Sequence, residues 1–506
     1  MVSRFEFEKL QQAYPALELR SGAKELEFNH LYIDSRKIRN DDGFVACVGL
    51  QLDGRHYIAN AIENGAKLII AEANELPDDV VEHCQQNKTT LVTLPDLNQQ
   101  LSTLMRDIYG NSEAALNVVG VTGTNGKSSS VQMIAQALHL VDGCCWTFGT
   151  LGVGPYGTQK PNVNTTADPV TIQRELHRAQ RSGCGNVAME VSSHGLAQGR
   201  VKGIQFDYAI FTNLTRDHLD YHETMEAYGA AKRELFLMPG LKNAIINVDD
   251  KFGRKLKKDQ EIKAAKWFYS LQEPTEGADL SQWIWVDDIR LTLQGINATV
   301  FTPWGSGKLA VPLVGRFNLY NLLAVIAVIG IKYQDRQKIF EVVNQLTSVT
   351  GRMQLIHAAG KPLVIVDYAH SPDALEQVLK ATREHCSGKI FTVFGCGGDR
   401  DPGKRPLMAR VAEKYSNTVV MTDDNPRTES PEAIVDDMRQ GLKQPNNVRY
   451  VSDREEAIRL AVKEASDKDV VLVAGKGHED YQIIGERRIE LCDIKVAQTI
   501  LAESAA

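Results

Sequence analysis

The stretch Gly123-Thr124-Asn125-Gly126-Lys127-Ser128-Ser129 gathers the residue types of a phosphate site into one short loop. Glycines let backbone N–H groups turn inward onto phosphate oxygens. A lysine at this place reaches the β- and γ-phosphates, and the hydroxyl after it ligates Mg²⁺. The elements around the loop fit. Val118, Val119 and Val121 form a β-branched run, and Val131, Ile134, Ala135 and Leu138 recur at i, i+3, i+4 and i+7. Strand, glycine loop and helix N-terminus together make an anion site, so this chain is expected to bind a nucleoside triphosphate. One spacing departs from the general G-x4-G-K-[ST] pattern: Val121 stands where it asks for glycine, and glycines sit at 120 and 123 instead.

Other polar clusters follow apolar runs. The segment 186–196, NVAMEVSSHGL, reads as a buried strand ending at Glu190, Ser192, Ser193 and His194. A carboxylate at a strand end beside a phosphate-loop strand is where Mg²⁺ is usually held. The segment 207–236 runs from an apolar strand into Asn213, Asp217, His218, Asp220 and His222, then into a helix carrying Lys232. A turn-rich stretch, 161–169, offers Asn164, Thr165 and Thr166.

Toward the C-terminus, apolar runs at 363–366, 390–394, 419–421 and 470–473 lead into DYAHSPDAL, GCGGDRDPGKR, TDDNPRTESPEAI and AGKGHEDYQ. Continuous apolar strands separated by helical segments predict a parallel sheet covered on both faces, with ligands at the carboxyl ends of its strands. Ser430-Pro431 is also a plain helix start.

At 506 residues the chain is expected to form several domains. A net charge of −7 leaves no basic excess for a nucleic acid. The eight cysteines include no C-x-x-C pair, and Cys144 and Cys145 are adjacent, so neither zinc nor a disulfide framework is expected. The charged N-terminus carries no signal-peptide core, and no apolar stretch is long enough to span a membrane. The expectation is a monomeric cytoplasmic α/β protein. It would have a small α/β unit over 1–100, a P-loop domain over 101–345 and a parallel-sheet domain over 346–506.

Taken together, VTGTNGKSSS, NTTADP, MEVSSHGL, TNLTRDHLDYH, GRFNLYN, GRM, VDYAHSPDAL, GCGGDRD, DDNPRTESP and GKGHEDYQ resemble the Mur ligases, in order, over nearly the whole chain. The resemblance implies a UDP-binding N-terminal domain, a central ATPase domain and a Rossmann-like C-terminal domain that binds an amino acid. The implied reaction is ATP-driven amide formation through an acyl phosphate. It adds meso-diaminopimelate to UDP-N-acetylmuramoyl-L-alanyl-D-glutamate in peptidoglycan precursor synthesis, with two Mg²⁺ ions.

By resemblance, Ser128, Glu190 and His218 are magnesium ligands, and Lys232 is carried as a CO2-derived carbamate that holds the second ion. Asn318 and Asn321 contact the adenosine side, and Arg352 and His370 lie where the family closes over ATP. Asn164, Thr165, Thr166, Ser192, Gln198 and Arg200 match contacts to the muramoyl dipeptide. Ser35, Leu50, Gln51 and Leu52 match the UDP side; Leu50 stands where related sequences often carry histidine, so its expected contact is through the backbone. Asp424, Asn425 and Arg427 accompany diaminopimelate, and Arg400, Gly475 and Glu479 complete its set.

The physics agrees with the resemblance. Diaminopimelate differs from lysine by a second carboxylate, which a guanidinium reads bidentately. The competing expectations are a lysine-adding ligase, opposed by Arg427, and folylpolyglutamate synthetase, opposed by the N-terminal domain. From another class comes a plain P-loop nucleotide hydrolase or switch.

Overall fold

The computed structural model describes residues 3–49 and 52–503. Contacts divide the chain into two compact units. One is Met1–Tyr269 with Ala327–Ile329, and the other is Ser270–Ile326 with Gly330–Ala506.

The first unit contains two main sheets. The N-terminal sheet has the order Glu18–Ser21, Thr90–Leu94, Leu68–Glu72, Gly43–Ala46, Leu31–Tyr32. It is parallel except for its first strand. Leu97, Leu101, Leu104, Met105 and Ile108 fall on one face of the helix Leu97–Tyr109 and bury against this sheet. The phosphate-loop sheet runs Gly152–Pro155, Trp146–Gly149, Asn186–Glu190, Asn117–Thr122, Tyr208–Phe211, Asn243–Asn247, Ala265–Ser270. Among these seven strands all pairings are parallel except that between the first two. The two layers are stitched together: Arg174 Nη1 donates to Leu31 O at 2.9 Å, and Ser102 Oγ donates to Arg200 O at 3.1 Å.

The unusual glycine spacing has a packing cause. A Cβ on Gly120 would come within 2.7 Å of the Phe206 ring, so this glycine serves strand packing rather than the phosphate loop. Gly126 has φ +85°, a left-handed conformation in which it caps the helix Lys127–Asp142. One cysteine expectation is overturned. Cys144, just past that helix, is disulfide-bonded to Cys184, just past the helix Pro169–Arg181. Adjacency to Cys145 hid a pairing that the parallel sheet creates between two helix ends.

In the second unit, Trp283–Thr292, Gly295–Phe301 and Gly307–Val311 form an antiparallel meander, followed by the apolar helix Arg316–Tyr333. The larger sheet has the order Gln354–Ile356, Leu363–Asp367, Val470–Ala474, Ile390–Phe394, Thr418–Met421, Val448–Tyr450. Only its first pairing is antiparallel. Alternation along each strand feeds two cores. Leu363, Ile365, Ile390 and Leu472 share one core with residues of the helices Pro372–His385, Lys404–Tyr415 and Pro431–Arg439. Val364, Val366, Val393 and Val471 share the other with Arg454–Glu464 and Asp493–Glu503. The four polar loops read from the sequence lie at the carboxyl ends of the strands ending at Asp367, Phe394, Met421 and Ala474.

Candidate active site

A cavity of about 240 Å³ opens beside the phosphate loop. Its walls bring together Lys127, Asn164, Thr165, Thr166, Ser192, Arg200, His218 and Lys232, all singled out from the sequence. Ser193, His194 and Tyr228 complete the lining.

The two lysines converge on a single atom. Lys127 Nζ donates to Gly123 O at 2.7 Å and to Thr124 O at 2.8 Å. Lys232 Nζ donates to the same Gly123 O at 2.8 Å. Lys232 is only 1% exposed, and its amine lies 4.4 Å from the centre of the Tyr228 ring. Burial, then the Lys127 charge, pushes this amine well below the ordinary lysine range, with Asp217 opposing.

Beside them, Ser128 Oγ donates to Glu190 Oε2 at 2.9 Å, and Thr150 N donates to Glu190 Oε1 at 2.8 Å. Glu190 is therefore a buried carboxylate tied directly to the loop hydroxyl. Asn213 braces the loop from the next strand: its Oδ1 accepts from Asn125 N at 2.9 Å and its Nδ2 donates to Asn125 O at 3.1 Å. The Tyr228 and Thr124 hydroxyls pair at 3.1 Å.

His218 sits at φ +52°, with its ring edge-on to His194 at 4.8 Å. His222 stacks on Tyr228 and lies 2.9 Å from Ser193 Oγ. Burial lowers the pKa of both His194 and His222, favouring the neutral ring in each.

On the adjoining wall Thr166 Oγ1 donates to Glu190 O at 2.9 Å, and Arg200 Nη1 donates to Thr166 O at 2.7 Å. Gln198 Oε1 accepts from Arg200 Nη2 at 2.6 Å. Thr165 Oγ1 accepts from Thr150 Oγ1 at 3.3 Å. Ser35 is buried at the start of a turn capped by Asp34, and Leu52 is exposed. Leu50 and Gln51 lie outside the described residues.

The second unit holds the remaining candidates. Asn318 Nδ2 donates to Val314 O at 2.8 Å and Asn321 Nδ2 to Asn318 Oδ1 at 2.9 Å, a buried ladder at the start of its helix. The Arg352 guanidinium lies over the Tyr368 ring at 4.8 Å, and His370 stands edge-on to the same ring at 4.7 Å.

The diaminopimelate candidates gather at strand ends. Arg427, at φ +53°, donates from Nη1 to Gly398 O at 2.7 Å. Arg400 Nη1 donates to Asp399 O at 3.0 Å and is exposed. Asn425 Nδ2 donates to Glu479 Oε2 at 3.1 Å. Gly475 has φ +119°, where an L side chain is strained, and a Cβ there would also come within 2.8 Å of Asp424 Oδ2.

Several residues escaped the sequence. Tyr228 precedes Lys232 by one helical turn, and that spacing on one helix face was a usable signal. Lys476, at 0% exposure, and Arg454, which pairs with Asp493 at 2.7 Å, gave none, because charged residues are rarely buried.

The fold and its phosphate loop define an α/β P-loop enzyme joined to a second parallel-sheet unit. The chain belongs to the Mur ligase family. Residues 27–109 match the family's catalytic domain, 121–329 its middle domain and 351–477 its glutamate ligase domain.

Among its relatives, UDP-N-acetylmuramoyl-L-alanyl-D-glutamate–2,6-diaminopimelate ligase of Pseudomonas aeruginosa is 45% identical over 97% of this chain and 98% of that protein. The enzyme of the same name from Ectopseudomonas mendocina is 46% identical with the same coverage. A solved structure bearing this enzyme's name superposes with a TM-score of 0.68 at 35% identity. It covers 95% of this chain and 96% of its own.

Proposed function

We propose that this protein joins meso-diaminopimelate to UDP-N-acetylmuramoyl-L-alanyl-D-glutamate at the expense of ATP. As a Mur ligase it uses ATP and magnesium. The observation that carries the assignment is near-full-length identity of about 45% to ligases of that name. In the reaction the glutamyl carboxylate takes the γ-phosphoryl group of ATP, the amine of the amino acid attacks the acyl carbon, and phosphate leaves. Two anions must approach each other in the first step. Lys127 supplies positive charge at the loop, and fixed groups hold the reactants in line.

The donor set suits a hard cation: Ser128 Oγ already meets Glu190, and His218 lines the same cavity as Lys232. Ser128, Glu190, His218 and a carboxylated Lys232 would hold two Mg²⁺ ions, which when bound neutralise charge between the phosphoryl group and its acceptor. The neutral Lys232 amine is the form that reacts with CO2. Its lone pair bonds to carbon and one proton departs, leaving an N-carboxylate.

We assign the UDP moiety to 1–100 (Ser35, Leu50, Gln51 and Leu52), the muramoyl dipeptide and ATP to 101–345, and the amino acid to 346–506. Asn318, Asn321, Arg352 and His370 serve ATP in this scheme. Arg427 reads the carboxylate that lysine lacks, with Arg400, Asp424, Asn425, Gly475 and Glu479 around it.

Phosphate release tests the assignment, with ATP, Mg²⁺ and the UDP-muramoyl dipeptide present and diaminopimelate, L-lysine or nothing added. Release is expected only with diaminopimelate. Release with lysine would keep the ligase and discard the specificity. Release without any acceptor would point to a nucleotide hydrolase.

A further inference from the structure

Lys476 is fully buried just beyond the strand Val470–Ala474, so no substrate reaches it. Its ammonium donates to Asn425 Oδ1 at 3.2 Å and to Glu479 Oε2 at 3.3 Å, and lies 5.4 Å from the centre of the Tyr481 ring. The Asn425 amide is committed at both ends: Oδ1 also accepts from Ile483 N at 2.9 Å, and Nδ2 donates to Glu479 Oε2 at 3.1 Å. Both hydrogen bonds to Glu479 thus fall on Oε2, while the side chain remains 18% exposed.

The hairpin strand Tyr481–Ile484 fixes the neighbouring loop through backbone and side chain. Arg427 N donates to Ile483 O at 3.0 Å, Gly485 N to Arg427 O at 2.7 Å, and Gln482 Nε2 to Asp424 O at 2.7 Å.

Stability alone does not explain this lysine. Burying an ammonium is costly, and an apolar side chain of similar volume commonly does as well or better in such a place. What the ammonium adds is position. Resting on the ligase activity proposed above, we propose that Lys476 is a positioning residue for amino-acid recognition: it fixes Asn425 and Glu479 Oε2 so that Glu479 offers its other oxygen to the distal ammonium of the incoming amino acid.

The test compares wild type, Lys476→Met, Glu479→Gln and the double variant in the phosphate-release assay, with KM and kcat measured for each substrate. The acceptors are meso-diaminopimelate and 2-aminopimelate, which lacks the distal ammonium. Lys476→Met is expected to raise the diaminopimelate KM by roughly 10- to 100-fold, the loss of a hydrogen bond to a charged group. The KM for ATP should stay within about twofold, and the double variant should be no worse than Glu479→Gln alone. The 2-aminopimelate KM should be the same in wild type and Lys476→Met.

A diaminopimelate KM unchanged in Lys476→Met would overturn the assignment. So would an equal rise in the ATP KM, or losses that multiply in the double variant. Lys476→Gln, read by the same criteria, replaces Lys476→Met if the latter does not fold. Wild type that releases phosphate without an acceptor would instead overturn the ligase activity, a separate failure.

Discussion

Lys232 and Lys476 are buried to nearly the same degree, at 1% and 0% exposure, with neighbours of opposite kind. Lys232 meets a backbone carbonyl, a ring face and the charge of Lys127. Lys476 meets a carboxylate and an amide oxygen. Burial beside a like charge drives an amine toward its neutral, nucleophilic form, whereas burial against a carboxylate fixes geometry.

The contrast extends to the regions around them. At the phosphate loop both lysines donate to the loop's own carbonyls; an arriving phosphate oxygen can replace those of Lys127. At 424–427 the side chains of Asn425, Glu479 and Lys476 are already bonded to one another. The first region is kept ready for anionic reactants. The second is already bonded within itself.

The sharpest way to break this contrast is at Lys232. Lys232→Arg keeps a positive charge but cannot be carboxylated. It is expected to lose activity as fully as Lys232→Ala, on the order of 10³-fold in kcat, and a ¹³C carbamate resonance formed from ¹³CO2 should vanish in both. An active Lys232→Arg protein would show that only a cation is needed there.

Arg427→Ala comes next. Discrimination between diaminopimelate and lysine, about 10⁴-fold for a site built around a hydrogen-bonded group, should fall to about tenfold, measured as the ratio of kcat/KM values.

The prebuilt region also rests on the Arg454–Asp493 pair, both side chains at 0% exposure. Arg454→Met alone leaves a buried carboxylate uncompensated and should cost about 3–5 kcal/mol in an unfolding titration. Replacing both partners by apolar residues should recover much of that loss.

The smallest effect concerns pH. Burial, and then Arg352, brings the His478 pKa down to about 4, well below its ordinary 6.5. Between those values the unfolded chain binds the proton and the folded chain does not. Stability from this group is therefore present above pH 6.5 and lost as pH falls toward 4. His478→Phe should reduce the drop in melting temperature between pH 7 and pH 5.

The sequence by itself determined what is local. Valine runs, a glycine turn and a helical period announced the phosphate loop. Four apolar runs ending in polar loops announced a parallel sheet with those loops at its carboxyl ends, and the motif order announced the family. Strand alternation says which faces are buried, but it does not say which strand lies beside which.

Only the tertiary structure decided that Val470–Ala474 inserts between Leu363–Asp367 and Ile390–Phe394. That placement sets Lys476 against Asn425 across 51 residues. In the same way, parallel pairing across the phosphate-loop sheet brings the Tyr228 hydroxyl to Thr124 across 104 residues and Cys144 to Cys184 across 40. The meander over 283–311 also went unread, although Ile296, Ala298 and Val300 alternate with Asn297 and Thr299 and carried a usable signal. Partners so distant in sequence leave no periodic trace. Their meeting is fixed by strand order and by the cost of burying a charge or polar group without a partner.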